Sequence, residues 1–343
     1  MTLSEPLRLK GAPGSPYTRK MIAYMRYRHI RYEFFIGDPA SSLGLPRPKV
    51  ELLPTFYLPN ERGEIEAVVD STPLIRRFET EFSGRETIPG NPVAAFLNYL
   101  IEDYADEWLT KAMFHYRWYY DDDIHKAGAI LPRWRAIQAS DEQLKGLSEN
   151  IARRQIDRLY VVGSNDITAP VIEDSYLRFL DIMDKLIEKQ GYVLGSRPAS
   201  ADFGIYAQMT QLSHFDPTPS AICLQRALRV YAWTDRVDDL SGHQVDDSQW
   251  ADIPTLADNL RPFLTEIGKV YAPALLANAQ AVMNGEKDFS TTIDGKPWSQ
   301  PAFPYQAKCL MWIREAWQSL NEEHRSQVNE ILAGTGADSL LQA

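Results

Sequence analysis

Short strand-like segments alternate with helix-like ones in the first part of the chain. Apolar and charged residues alternate in Leu7–Lys10, a pattern that is typical of a half-buried strand. Short apolar and aromatic segments predict three further strands at residues 32–36, 52–58 and 65–69. Between the first two strands, apolar residues recur at helical spacing at Met21, Ile22, Met25 and Ile30. We place the basic residues of this helix on its other faces, namely Arg19, Lys20, Arg26 and Arg28.

Signals for a helix start precede both helices that we predict in this region. Ser15 is a favourable N-cap residue and Pro16 suits the first helical position. The segment Asp70-Ser71-Thr72-Pro73 gives similar signals before a helix at residues 74–82. The predicted order is therefore β-α-β, a loop with at most a short helix, and then β-β-α. Such an opening implies a parallel strand pair with a right-handed crossover, and the last two strands are close enough to form a hairpin.

Beyond the Pro- and Gly-containing linker at residues 89–92, the pattern changes to long helices. We predict them at residues 94–120, 147–162, 173–190, 202–212, 223–237, 256–276 and 307–320. The expected organisation is a domain at residues 1–84, a helical domain at 92–240 and a helical extension at 241–343 packed on it.

Composition and charge narrow the class of protein. The 343 residues are 44% apolar and 24% charged, as in soluble globular proteins. The net charge of −10 repels phosphate backbones, so we expect no nucleic-acid partner. The start of the chain shows no secretory signal, and the apolar segment at residues 271–283 is too short to span a bilayer. Two isolated cysteines, Cys223 and Cys309, favour a reducing cytoplasm and a buried structural role. The six scattered histidines offer no metal-ligand spacing, so we expect no metal.

Three positions could carry chemistry, and each also has a purely structural interpretation. Ser15 lies at a helix N-terminus, where the dipole and a hydroxyl donor would stabilise a thiolate, but it also caps the helix. Pro54 opens a strand, and its bond to Leu53 is more often trans than cis by base rate. Asp70 and Ser71 stand at a second helix start, where N–H groups bind carboxylates and an aspartate could take an ammonium.

The order and spacing of these positions resemble the cytosolic glutathione transferase superfamily. The resemblance rests on Gly14-Ser15-Pro16-Tyr17-Thr18-Arg19-Lys20, Leu53-Pro54-Thr55-Phe56, Val69-Asp70-Ser71 and the segment at residues 192–203, and it covers about residues 7–236. It implies a thioredoxin-like α+β N-terminal domain (βαβ-ββα) followed by the superfamily's all-α C-terminal domain, here with a helical extension.

The resemblance also implies roles for individual residues. Pro54 would be cis, Leu53 would pair with the cysteinyl backbone of glutathione, and Asp70 with Ser71 would hold its γ-glutamyl end. Ser15 matches the thiolate donor of serine-type members, with Tyr17 as the rival donor. Glutathione would be a co-substrate, and a small hydrophobic electrophile would bind near Phe114 and Trp118. Members usually pair, so we expect a homodimer in the cytoplasm, without nucleic acid or membrane as a partner.

Some features depart from the superfamily's pattern. Glu51-Leu52 replaces the basic or amide residue that reaches the glycyl carboxylate, and Lys49 or Arg47 would substitute for it. Ala199 replaces the usual Ser or Thr cap, so Ser200 caps with shifted geometry or the helix start is weakened. The aromatic, turn-rich segment at residues 294–306 forms either a lid over the acceptor pocket or a staple for the C-terminal helices.

Three functions therefore stay open at this point. The first is a glutathione transferase that activates the thiolate for attack on a hydrophobic electrophile. The second is a glutathione-dependent lyase or reductase, for example one that cleaves ethers. The third is a non-catalytic ligand-binding protein of the same fold, because fold alone does not fix function.

Overall fold

A four-stranded mixed sheet with three helices forms the N-terminal domain of the structure, a computed structural model that describes residues 3–342. The strands are β1 (Leu7–Lys10), β2 (Tyr32–Phe35), β3 (Thr55–Pro59) and β4 (Ile65–Val68). The helices are α1 (Pro16–Arg28), α2 (Pro39–Leu43) and α3 (Ser71–Glu81). The strand order is β2-β1-β3-β4, with β1 and β2 parallel and the other pairs antiparallel. This thioredoxin-like βαβ-ββα arrangement confirms the prediction.

The sheet register explains why the core of this domain forms between β1 and its neighbours. Leu9 of β1 is aligned with Phe34 on one side and with Phe56 on the other. Leu9 and Phe56 are fully buried, and Phe56 packs edge-on against Phe78 of α3. The alternating pattern of β1 thus places its apolar residues on the face that α3 covers.

Helices make up the middle of the chain. They are α4 (Pro92–Tyr104), α5 (Thr110–Tyr119), α6 (Asp121–Arg135), α7 (Asp141–Ile156), α8 (Ala169–Gln190), α9 (Ser200–Met209), α10 (Pro217–Arg226) and α11 (Leu228–Val237). A π-helical turn, Ala105–Leu109, joins α4 to α5 without a break, so the predicted long helix at residues 94–120 is continuous. Helix α6 was not among the predicted helices.

The C-terminal extension is helical, as predicted, with the addition of one β-hairpin. Its helices are α12 (Ile253–Glu266), α13 (Ala272–Asn284), α14 (Pro304–Gln318) and α15 (Glu322–Leu332), and its strands are β5 (Asp288–Ile293) and β6 (Lys296–Pro301). The hairpin turns at Asp294 and Gly295, both with positive φ, which is the geometry that an Asp-Gly turn favours. The segment at residues 294–306 is therefore a turn, a strand and a helix start rather than one loop.

Helix α4 lies at the centre of the molecule. Helix α9 contacts it on one side, and α12, α14 and α15 of the extension contact it as well. Eleven of its thirteen residues are buried, as expected for a helix that is enclosed on several sides. Helices of the C-terminal extension therefore pack directly against α4.

Two basic residues of α1 do not lie where the sequence pattern predicted. Lys20 and Arg28 are buried, whereas we expected both on polar faces. Lys20 lies against Glu102 and Asp106, and Arg28 forms an ion pair with Glu79. Buried charges need such partners, and the pattern along α1 does not show them because they come from other elements.

The start of α9 also differs from expectation. Ala199 is the N-cap and contributes no side-chain bond. Asp202 accepts the Ala199 N–H through Oδ2 at 2.8 Å and the Val193 N–H through Oδ1 at 2.9 Å. Ser200 does not cap this helix: its hydroxyl donates to Glu102 Oε2 at 2.6 Å. Asp202 therefore takes the part at the start of α9 that a capping hydroxyl would have.

Both cysteines are buried free thiols, as expected. Within residues 3–342, no helix combines the length and apolar character needed to cross a bilayer. The same residues contain no cluster of three or more His, Cys, Asp or Glu side chains arranged to hold a metal ion.

Candidate active site

Ser15 connects the start of α1 to the start of β3. Its Oγ accepts the N–H of Thr18 at 3.3 Å, which makes Ser15 the N-cap of α1. The same hydroxyl donates to the carbonyl of Leu53 at 3.4 Å. The Leu53–Pro54 peptide bond is cis, as the resemblance implies. The structure thus brings together Ser15 and Leu53, two positions that the sequence analysis singled out separately, and it leaves Ser15 half-buried.

A buried ion pair supports the loop that precedes Ser15. Arg117 of α5 bonds both carboxylate oxygens of Asp216 at 2.9–3.1 Å. It also donates to the carbonyl of Gly14 at 3.0 Å, and Gln211 donates to the carbonyl of Pro13 at 3.3 Å. Asp216 and Arg117 are nearly inaccessible to solvent. The sequence analysis missed these residues, because nothing in their local sequence links them to residues 13–15.

Helix α6 covers the same loop with apolar side chains. A Cβ atom added at Gly14 would lie 2.4 Å from Leu131 Cδ2 and 2.6 Å from Trp134 Cζ3. Such distances are far inside van der Waals contact, so any side chain at position 14 would force Leu131 and Trp134 to move. Leu131 and Trp134 are half-buried, and they place an apolar surface beside the residue that precedes Ser15.

Tyr17, the rival donor, is engaged elsewhere. Its hydroxyl donates to the backbone carbonyl of Asp106 at 2.7 Å. Burial, and then the nearby carboxylates of Glu107 and Asp106, raise the pKa of Tyr17 well above its ordinary value. The phenol is therefore neutral, and its one proton is used in a bond to the π-helical turn.

Asp70 is the N-cap of α3 and Ser71 is its first residue, so the helix begins three residues before the predicted start at residue 74. Asp70 has a φ of 83° and accepts the Thr72 N–H through Oδ1 at 3.4 Å. Its Oδ2 accepts a hydrogen bond from the hydroxyl of Tyr305 at 2.7 Å. Asp70 is half-buried and Ser71 is buried. The contact with Tyr305 shows that the extension reaches the N-terminal domain at this point.

A charged cluster lies beneath these helix starts. Lys20 Nζ is 2.7 Å from Glu102 Oε1 and 2.5 Å from Asp106 Oδ2, and Thr72 also donates to Asp106 at 3.0 Å. Burial alone would lower the pKa of Lys20, but Asp106 and Glu102 raise it to about 12. Two buried carboxylates share one ammonium, so burial raises the pKa of Asp106 while Lys20 keeps that of Glu102 low. The cluster fixes α1 against the π-helical turn.

The remaining predicted positions lie at different depths. Lys49 is exposed and forms no ion pair with another residue in the described part of the chain, whereas Arg47 pairs with Asp38 at 2.8 Å. Phe114 is half-buried and packs 6.5 Å from Trp118, measured between ring centroids. Trp118 is only 2% exposed. Among the predicted acceptor residues, Phe114 is therefore the more accessible.

The sheet order and the helices behind it define a thioredoxin-like domain joined to a helical domain. Residues 9–86 match the family model described as glutathione S-transferase, N-terminal domain. This match spans the four-stranded sheet and α1–α3 and ends before α4, so the similarity concerns the N-terminal domain. A search of curated proteins found no match to the sequence.

Several solved structures are similar to this chain at low identity. A glutathione S-transferase from Methylobacterium radiotolerans, in complex with glutathione sulfonate, is 18% identical with a TM-score of 0.40, covering 72% of this chain and 96% of its own. One from Rhodospirillum rubrum is 16% identical with a TM-score of 0.42, covering 74% and 99%. The Tau class enzyme from mango, Mangifera indica, is 14% identical with a TM-score of 0.41, covering 74% and 96%.

Proposed function

We propose that this protein binds glutathione and activates its thiol for attack on a hydrophobic electrophile, as a glutathione transferase does. The observation that carries the proposal is the position of Ser15. Its hydroxyl lies at the N-terminus of α1 and within 3.4 Å of the Leu53 carbonyl, next to the cis bond to Pro54. A peptide that pairs with Leu53 would bring its own side chain to Ser15.

The chemistry follows from the electrostatics of this position. A free thiol has a pKa of about 8.5, so only a few per cent is ionised at neutral pH. The helix N-terminus and a hydroxyl donor both favour the charged form and lower this pKa. Each unit of lowering corresponds to about 1.4 kcal/mol of preference for the thiolate. With its proton released to solvent, the thiolate would then attack an electrophilic carbon, forming a carbon–sulfur bond while a leaving group such as halide departs with the electron pair of the bond that breaks. The Ser15 hydroxyl, which donates to the Leu53 carbonyl, would turn its proton to the sulfur once glutathione is bound.

Other residues in this chain suit the remaining groups of glutathione. Leu53 would pair with the cysteinyl backbone, and Asp70 with Ser71 at the start of α3 would hold the γ-glutamyl end. Lys49 is exposed and lacks an ion-pair partner among residues 3–342, so it would take the glycyl carboxylate. The half-buried rings of Trp134 and Phe114 would contact the electrophile. We propose Trp134 in addition to the predicted pair because α6 lies directly on Gly14.

The homodimer and the cytoplasmic location stay predictions. The extension already covers much of α4, so the predicted homodimer would have to form its interface through other surfaces of the protein.

The test compares Ser15→Ala with Tyr17→Phe in a conjugation assay with a general aromatic electrophile. Ser15→Ala should lower kcat/KM by about tenfold to a hundredfold, because it removes a donor to the thiolate. Tyr17→Phe should change it far less, since its hydroxyl is bonded to the Asp106 carbonyl.

The matched control is Ser140→Ala. Ser140 caps α7 and accepts the Gln143 N–H at 3.3 Å, so this change also removes a serine cap, and it should cost about 1 kcal/mol of stability. It should leave kcat/KM unchanged. If Tyr17→Phe and not Ser15→Ala abolished activity, the thiolate donor would be Tyr17.

A further inference from the structure

The extension contributes a side chain to the start of α3. Tyr305 of α14 donates its hydroxyl to Asp70 Oδ2 at 2.7 Å, although 235 residues separate the two. Both side chains are half-buried rather than enclosed. The contact is therefore less enclosed than the Lys20 cluster below it.

Residues on both sides of Tyr305 in the sequence form hydrogen bonds that hold this segment in place. Phe303 and Asn278 exchange two hydrogen bonds: the Phe303 N–H donates to Asn278 Oδ1 at 2.7 Å, and Asn278 Nδ2 donates to the Phe303 carbonyl at 3.0 Å. On the other side, Gln306 Nε2 donates to Glu107 Oε2 at 3.1 Å. Asn278 is fully buried. These bonds fix the backbone around Tyr305 to α13 and to the π-helical turn, so the phenol has little freedom to leave Asp70.

The Asp70 carboxylate is in turn oriented by two donors. Thr72 N–H bonds Oδ1 and Tyr305 bonds Oδ2. A carboxylate offers about four acceptor positions, so two remain free for another donor. Asp70 also occupies a positive φ, at 83°, a backbone conformation that residues other than glycine rarely adopt. Capping a helix does not require this conformation, since Asn91 and Asp252 cap their helices with negative φ.

We propose that Tyr305 is a positioning residue of the glutathione site, holding the Asp70 carboxylate to receive the α-ammonium of the γ-glutamyl group. The inference rests on the proposed function. It assigns part of that site to the C-terminal extension and completes the γ-glutamyl pocket within a single chain. The other role for the segment, as a staple for the C-terminal helices, explains the bonds of Asn278 and Gln306. It does not explain a phenol directed at a carboxylate that remains open to solvent.

The test measures binding by calorimetry with two ligands, glutathione and N-acetylglutathione, whose α-amino group carries no charge. Tyr305→Phe should weaken glutathione binding about tenfold, because a hydrogen bond to a charged group is lost. N-acetylglutathione should bind Tyr305→Phe and the wild type with the same affinity, within about a factor of two. Asp70→Asn should lose affinity for glutathione, and adding Tyr305→Phe to it should cost little more, because both changes act on one interaction.

The matched control is Tyr119→Phe. Tyr119, at the end of α5, donates its hydroxyl to Asp166 Oδ1 at 2.8 Å. This bond is similar in length but lies in another part of the chain, so its loss should not change the affinity for either ligand. Equal losses for both ligands in Tyr305→Phe would overturn the inference by showing a structural role only, and so would unchanged or tighter glutathione binding. A wild type that binds no glutathione would instead overturn the proposed function and, with it, this inference.

Discussion

The guanidinium of Arg117 donates to the carbonyl of Gly14 at 3.0 Å, and the same guanidinium bonds both carboxylate oxygens of Asp216. One buried arginine thus connects the residue before Ser15 to a carboxylate at the start of α10. The position of the proposed thiolate donor therefore depends on side chains far from it in sequence.

Removing Arg117 should affect stability and activity separately. Arg117→Met leaves the Asp216 carboxylate buried without a partner, which should cost about 3–5 kcal/mol in the free energy of unfolding. The double variant Arg117→Met/Asp216→Leu replaces the whole pair by apolar groups and should recover most of this loss. Its kcat/KM should stay low, because the Gly14 carbonyl is still unsupported and small misplacements of reacting groups are costly. Urea unfolding and conjugation assays on both variants measure the two effects. Recovery of activity along with stability would show that Arg117 does not position Ser15.

The buried lysine of α1 gives a second stability prediction. Lys20→Met removes the one ammonium shared by Glu102 and Asp106, so the free energy of unfolding should fall by about 3–5 kcal/mol. Arg8→Met is the control: its ion pair with Glu33 is about half exposed and should contribute less than about 1 kcal/mol. Denaturant unfolding of both variants gives the comparison. Equal losses would mean that the cluster is more hydrated than its burial indicates.

Glu107 should make stability depend on pH. Burial first, and then the nearby Asp103 and Asp106 carboxylates, raise its pKa from 4.5 to about 8, opposed by Gln306 and Lys111. The folded protein holds the Glu107 proton more tightly than the unfolded chain does. This protonation therefore contributes fully to the free energy of unfolding below pH about 4.5, and the contribution is lost as pH rises to about 8. Glu107→Gln puts a neutral amide in place of the carboxyl, as in the protonated form, so this variant does not lose stability over the same pH range.

The free energy of unfolding of Glu107→Gln, relative to the wild type, should therefore increase between these pH values and level off above them. Asp103, whose pKa is raised to about 7, interacts with Glu107, so its titration broadens the pH range of this increase without changing its sign. A difference that stays constant with pH would show that Glu107 is ionised throughout.

Lys49 should matter only for the glycyl end of the ligand. Lys49→Met should weaken glutathione binding by about twofold to fivefold, the effect of one exposed charge pair. Binding of γ-glutamylcysteine, which has no glycyl residue, should decline less. Lys145→Met is the control, since Lys145 is also exposed but belongs to α7. The same loss for both ligands would place Lys49 elsewhere in the site.

Much of the N-terminal domain could be predicted because its signals are local. Ser15 and Pro16 mark the start of α1, and the four strands alternate or cluster apolar residues over a few positions. Two missed elements also had local signals. Asp294-Gly295 is a typical hairpin turn, and helical spacing is present in α6 at Ile124, Ala127, Leu131 and Trp134.

The rest could not be predicted because it depends on contacts across the chain. The partners of Lys20 lie 82 and 86 residues away, so its burial could not be deduced from the pattern of α1. The contact between Tyr305 and Asp70 depends on the fold of the whole extension. Sequence spacing indicated that Asp70 and Ser15 belong to one site, but it could not show that the extension reaches that site.

The pKa of the bound glutathione thiol tests the central claim most directly. Ultraviolet absorbance of the thiolate, followed against pH in the wild type and in Ser15→Ala, measures it for both proteins. We expect a pKa at least about one unit below the free value near 8.5 in the wild type, and a return toward that value in Ser15→Ala. An unshifted pKa in the wild type, or the same lowered pKa in both proteins, would contradict thiolate activation by Ser15.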